Sequence, residues 1–375
     1  MKMISRHVLT GALALGLLGF ATFAQAEPDP VAKAALNKGF AWLKANQKKN
    51  GSWSDENYPA LSALGLWAMA KSEREDMKEA ADKAASFIAG FAQPDGGIYK
   101  VPTGGRGTGG LSTYNTAICM IGLQMADAEK YAPIILKARE FMVGAQVQGD
   151  SPDAGGFGYN VPGQSERDRA DLSNTGWAMM AMRVTQSAED KRPADAKRAD
   201  LQWEKALAYV EKLQNKDAAD ADNVGGFGYE SAGERDGTTT SEGGKVTLRG
   251  FGSMTYAGLE AMIYAQVGPQ DPRVRSAIAW AGRHWSVAEN PGMGKRGLFY
   301  YYVIMAKSLN LLGGDGVLKN PAGEAIAWRE QLAAKLIAEQ NEDGFWTNTD
   351  NTFWEGDPAL VTAYALLVLQ DVADK

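Results

Sequence analysis

The groups able to do chemistry in this 375-residue sequence are carboxylates and tyrosines, because histidine occurs twice and cysteine once. A zinc site draws three or four ligands mainly from His and Cys, so that chemistry has too few donors here, and no cofactor or metal is expected. His284 stands between Trp280 and Trp285 in a helix-like stretch and reads as a packed or surface histidine. Cys119 lies inside the apolar run Thr116 to Leu123 and reads as a buried, inert thiol. What remains is a polar and aromatic set at the heads of apolar helical runs: Tyr114, Asn115, Asp171, Asn174, Tyr256, Tyr300, Tyr301 and Asp357. Glu260 follows one turn deeper in its run. Converging on one cavity, Asp171, Glu260 and Asp357 would be the candidate catalytic acids, and the others ligand contacts. Burial of Glu260 among apolar residues would raise its pKa and suit it to proton donation. Asp171 and Asp357 have an alternative use as caps for helix N–H groups.

The elements that must position these groups are legible through repetition. Gln47 precedes Asn50-Gly51-Ser52-Trp53, and Gln93 precedes Asp95-Gly96-Gly97-Ile98-Tyr99. Gln146 precedes Gly155-Gly156-Phe157-Gly158-Tyr159, Gln214 precedes Gly225-Gly226-Phe227-Gly228-Tyr229, and Gln340 precedes Asp343-Gly344-Phe345-Trp346. A degenerate sixth turn at Pro291-Gly292-Met293-Gly294 lacks the glutamine. The equivalent positions Ser62, Thr116, Thr175, Thr255, Tyr302 and Thr362 give a mean repeat of 60 residues. Helices ahead of each turn, such as Lys71 to Phe91 and Asp195 to Leu213, carry one apolar stripe. Those after it, such as Thr175 to Met182 and Val361 to Leu369, are apolar almost all round and must be buried on every side. The expected fold is all-α, an α/α toroid of six helix pairs with covered helices inside amphipathic ones, forming one domain over residues 27–375.

Residues 1–26 carry Lys2 and Arg6, the apolar run Val8 to Phe20, and Ala24-Gln25-Ala26, the pattern of a secretory signal peptide. Its removal predicts an exported protein, periplasmic or extracellular, with no transmembrane anchor left. The net charge then moves from −6 to −8, because two of the 39 Lys+Arg and none of the 45 Asp+Glu are lost. Such an acidic chain argues against nucleic acid as a partner. Two loops break the repeat: Glu230 to Arg249, and the glycine-rich Thr103 to Gly110 with Arg106. Both are expected to roof the cavity mouth.

The Gln-x-x-x-Gly-x-Trp turns at Gln47 to Trp53 and Gln340 to Trp346 resemble the QW motif of squalene-hopene cyclases. The helix pairing over about residues 31 to 372 resembles the wider set of terpenoid cyclase and protein prenyltransferase toroids. The resemblance implies that the glutamine and the aromatic brace one repeat against the next. A glutamine can also cap the carbonyl end of its helix. The same resemblance places the cyclases' Asp-x-Asp-Asp-Thr acid segment at Asp171-Leu172-Ser173-Asn174-Thr175, where Ser173 occupies the proton donor's position. A serine hydroxyl is too weak an acid to protonate an alkene. Prenyltransferase zinc chemistry is also not supported, since Ala117 stands two residues ahead of Cys119 where an aspartate is required. The leading expectation is an exported toroid that binds or transforms a hydrophobic, isoprenoid-like small molecule, a cyclase or mutase-type isomerase if it is catalytic at all. The alternatives are a carbohydrate-active toroid using paired carboxylates such as Asp171 and Asp357, and a non-catalytic interaction scaffold.

Overall fold

A computed structural model describes residues 30–104, 107, 109–163, 169–230, 238–240 and 246–373. The leader at 1–26 and Arg106 lie outside the described residues, as do most side chains of the Glu230 to Arg249 insert. Six outer helices each lead through a turn into an inner one. The pairs are α1 (Pro30–Ala45) with α2 (Pro59–Lys71), α3 (Lys78–Ala89) with α4 (Ser112–Asp127), and α5 (Ala132–Ala145) with α6 (Leu172–Val184). After the short α7 (Gln186–Asp190) come α8 (Trp203–Lys212) with α9 (Gly252–Tyr264), α10 (Pro272–Arg283) with α11 (Leu298–Leu311), and α12 (Trp328–Glu339) with α13 (Pro358–Ala373).

Burial separates the two sets as the apolar patterns require. In α2 every residue from Pro59 to Met69 is buried, and in α13 every residue from Leu360 to Leu369. In α3 only Ala80, Ala84, Ala85 and Ile88 are buried, a single stripe. Each inner helix packs on the next in the order α2, α4, α6, α9, α11, α13, and α13 packs back on α2. This closed double ring is the expected α/α toroid. The outer helices start later than the sequence pattern suggests. Lys71 ends α2, the chain reverses at Glu73 (φ 49°), and α3 begins only at Lys78; α8 likewise begins at Trp203. In the long insert, Thr238–Thr240 (β1) pairs antiparallel with Val246–Leu248 (β2). Among the described residues no helix is long and apolar enough to cross a membrane.

The repeated turns are hydrogen-bonded alike. The backbone N–H of Trp53, Ile98, Phe157, Phe227 and Trp346 donates to the hydroxyl of Ser62, Thr116, Thr175, Thr255 and Thr362, at 3.0, 2.9, 3.0, 3.2 and 3.1 Å. In the degenerate turn Tyr302 instead donates its phenol to the Val287 carbonyl. The glutamines do not cap their own helices. Gln47, Gln214 and Gln340 each donate to the carbonyl of their turn glycine and to a carbonyl of the following outer helix, Ala80, Arg273 and Ala35 respectively. Gln146 does the same with Gln202, just ahead of α8, while Gln93 bonds only within its own turn. The Gln340 contact to Ala35 joins the last repeat to the first.

Candidate functional site

The N-terminal ends of the inner helices meet on the ring axis, and a cavity of about 520 Å³ opens there. All six inner helices contribute to its wall: Leu61, Tyr114, Ser173 with Trp177, Ser253 with Met254, Tyr300, and Leu360 with Tyr364. Loops supply Tyr58, Tyr159, Tyr229, Phe251, Phe353 and Trp354, together with Met293, Arg296 and Glu355. Ten of the lining residues are aromatic, so the wall is largely ring faces and edges carrying phenolic hydroxyls. Several of these touch: the Tyr114 and Tyr159 rings lie 5.9 Å apart, Trp177 and Tyr300 6.1 Å, and Tyr58 and Trp354 5.1 Å edge to face. The Ser173 hydroxyl donates to the Tyr300 oxygen at 3.2 Å, and the Tyr159 and Tyr229 hydroxyls stand 3.5 Å apart.

Tyr159 and Tyr229 reach the cavity for a local reason. Each ends a Gly-Gly-Phe-Gly-Tyr turn whose phenylalanine, Phe157 or Phe227, is fully buried in the place that tryptophan takes in other repeats. The tyrosine two residues on then falls on the inward side. The rim is shaped by Phe353 and Trp354, consecutive residues with φ of 59° and 68°, a backbone region that bulky side chains seldom occupy.

Of the residues singled out by sequence, Tyr114 and Tyr300 line the cavity. Asp171 lies just behind it. It caps α6, accepting from the Asn174 N–H at 2.8 Å and the Asn174 side-chain amide at 2.7 Å, and it also bonds the hydroxyl of Tyr229, which does line the wall. Burial raises its pKa to about 7, against the opposing pull of those hydrogen bonds. Asn174 keeps a buried amide oxygen without a partner. Asn115 is committed to structure, accepting from Ala60 N at 3.0 Å and donating to the Gly110 and Leu111 carbonyls. Tyr256 and Tyr301 pack on each other at 5.8 Å off the cavity wall, with the Tyr301 hydroxyl on the Ser286 carbonyl.

The other two acids are elsewhere. Glu260 is buried deeper along α9, accepting from the Tyr264 hydroxyl at 3.0 Å, and burial raises its pKa to about 7. The Lys307 ammonium, which acts on it through space, rests 4.6 Å from the centroid of the Trp67 ring. Asp357 has both oxygens occupied, by Ala359 N, Leu360 N and the Ser54 hydroxyl. Sequence reasoning did not reach Glu355, whose carboxylate lines the cavity while accepting from Phe299 N, Tyr300 N and the Asn348 amide. It closes the N-terminus of α11, and burial raises its pKa.

Solved structures with the same arrangement span nearly the whole chain. The type II terpene cyclase MstE from Scytonema aligns over 92% of this chain and 98% of its own, with a TM-score of 0.56 at 13% identity. The likeness is one of fold. A GH76 α-mannanase from Bacteroides thetaiotaomicron aligns over 91% and 95%, with a TM-score of 0.55 at 11% identity. A protein from Actinoplanes aligns over 91% and 99%, with a TM-score of 0.51 at 14% identity. MstE has been captured with geranylgeranyl dihydroxybenzoate as substrate and with merosterolic acid A as product. The sequence matches no protein-family model and no curated relative.

Proposed function

We propose that this protein is exported and binds an apolar, isoprenoid-like small molecule in the axial cavity. The observation that carries the proposal is the wall itself: ten aromatic residues around about 520 Å³, drawn from four of the six inner helices and the loops between them. Apolar surface leaving water for such a wall gains roughly 25 cal/mol per Å², and the ring faces favour flat or unsaturated chains. The type II cyclase that shares the fold holds a geranylgeranyl substrate, which supports the same reading.

Asp171 is the acid we assign to any proton exchange with the ligand, because Tyr229 connects it to the cavity. Glu260 and Asp357 are off the wall, and Ser173 holds the cyclase donor's position. These facts favour ligand binding over alkene protonation. A glycosidase would need two carboxyls facing each other across the sugar. Among the described residues the cavity wall carries one, Glu355, and it is spent on α11. Mass spectrometry of organic extracts from gently purified protein tests the proposal. A near-stoichiometric apolar compound is expected; an empty extract combined with turnover of a polysaccharide would replace this reading with the glycosidase one.

A further inference from the structure

One guanidinium group at the cavity rim and one just behind it make no ion pair among the described residues. Arg296 lines the cavity, is exposed, and lies 5.9 Å from the centroid of the Phe353 ring. Among the described residues its side chain makes no ion pair; the nearby Asp350 carboxylate is held by Thr352 N and senses Arg296 only through space. Arg249 is half-buried just behind the rim. Its neighbours are fixed, Gly250 N on the Asn223 side chain at 2.9 Å and Phe251 N on the Phe227 carbonyl at 3.2 Å. Its Nη2 reaches only the sulfur of Met293 at 3.5 Å, and its Nε is buried with no acceptor. Met293 itself lines the cavity, so Arg249 is one flexible side chain away from the ligand space.

We propose that the ligand is an amphiphile, its apolar tail among the aromatic rings and its anionic head, a carboxylate or a phosphate, at the rim against Arg296 and Arg249. This rests on the reading of the cavity as an apolar-ligand site. A buried guanidinium N–H without an acceptor is costly, and an anion would supply that acceptor through a charge-assisted hydrogen bond. The backbone donors nearby cannot take this role: Phe299 N and Tyr300 N are given to Glu355, and Ser253 N to Asn290. Glu355 shares the cavity, but those amides and Asn348 already occupy its oxygens. The rim is built rather than incidental, for the two consecutive left-handed residues Phe353 and Trp354 hold one ring beneath Arg296 and the other on Tyr58. Two arginines beside one opening, neither in an ion pair among the described residues, also stand out in a chain of net charge −6.

The test is a set of fluorescence titrations of the full chain with geranylgeraniol, geranylgeranoic acid and geranylgeranyl phosphate, which share one tail. In the native protein the acid, the phosphate or both should bind at least about tenfold tighter than the alcohol. Whichever anion leads identifies the head. In the double variant R249Q/R296Q that ratio should fall to about twofold, and with R296Q alone, should the double variant not fold, to about fourfold. Equal binding of all three by the native protein, or a ratio that survives in the variants, overturns the anionic head and leaves the apolar cavity standing. Failure of all three to bind overturns the cavity reading itself.

Discussion

At Asp171 burial and hydrogen bonding act in opposite directions, and burial wins. The folded pKa of about 7 lies above the usual aspartate value, so the native state holds its proton longer than the unfolded chain does. The stability this group contributes is therefore full below about pH 4 and is lost as pH rises towards 7, by about 1.4 kcal/mol per pH unit at most. D171N removes the titration. Denaturant unfolding of native protein and D171N between pH 4 and 8 should show the native chain losing stability relative to the variant; parallel curves would exclude a buried, proton-holding Asp171. Tyr229 supplies one of the bonds that lower this pKa, so Y229F should move the Asp171 carboxyl titration upward, read by carbon NMR. Asp171 and its N-capping geometry were legible in the sequence, because an aspartate ahead of an apolar helical run has a defined local use. Its link to Tyr229, 58 positions away, was not, since it comes from the packing of two repeats.

The turn is the unit that converts sequence repetition into a ring. At Gly155 φ is 92°, and a Cβ there would sit 2.1 Å from the Lys205 carbonyl oxygen of α8. Gly155→Ala therefore meets both a left-handed backbone and a fixed neighbour, and should cost about 1–3 kcal/mol or more in chemical denaturation. Thr175→Val would leave the buried Phe157 N–H without its acceptor and should cost about 1–3 kcal/mol. Five of the six turns and all the hydroxyl positions that serve them could be read from the sequence, because each copy repeats the same residues. The helix starts were less legible: α3 and α8 begin late where a reversal at Glu73 and a non-repeating stretch after α7 intervene. Most of the cavity wall escaped, much of it for the same reason. Tyr58, Phe353, Trp354 and Glu355 lie in loops that differ from repeat to repeat, so no periodicity marks them. Tyr159 and Tyr229 did carry a signal, the shared Gly-Gly-Phe-Gly-Tyr.

Across the whole molecule, closure is the property on which the cavity depends. α13 packs on α2, Gln340 bonds Ala35 at 2.9 Å, and Ser54 bonds Asp357 at 2.6 Å, so the two ends of the chain share one seam. A chain ending before α12 would leave the buried face of α2 in water. It should lose cooperative thermal unfolding altogether; a truncated protein with an intact, sharp transition would contradict a closed ring. The ring also explains why the lining needs residues from six repeats and why no single segment contains a recognisable site. The central claim, that this shared space holds an apolar ligand, is tested most directly by equilibrium dialysis of geranylgeraniol against the native protein and Ser173→Trp. Ser173 faces the cavity, and an indole there would occupy part of it. The account predicts close to one ligand per native chain and at least a tenfold weaker affinity for the variant. No binding by the native protein, or equal binding by both, would contradict it.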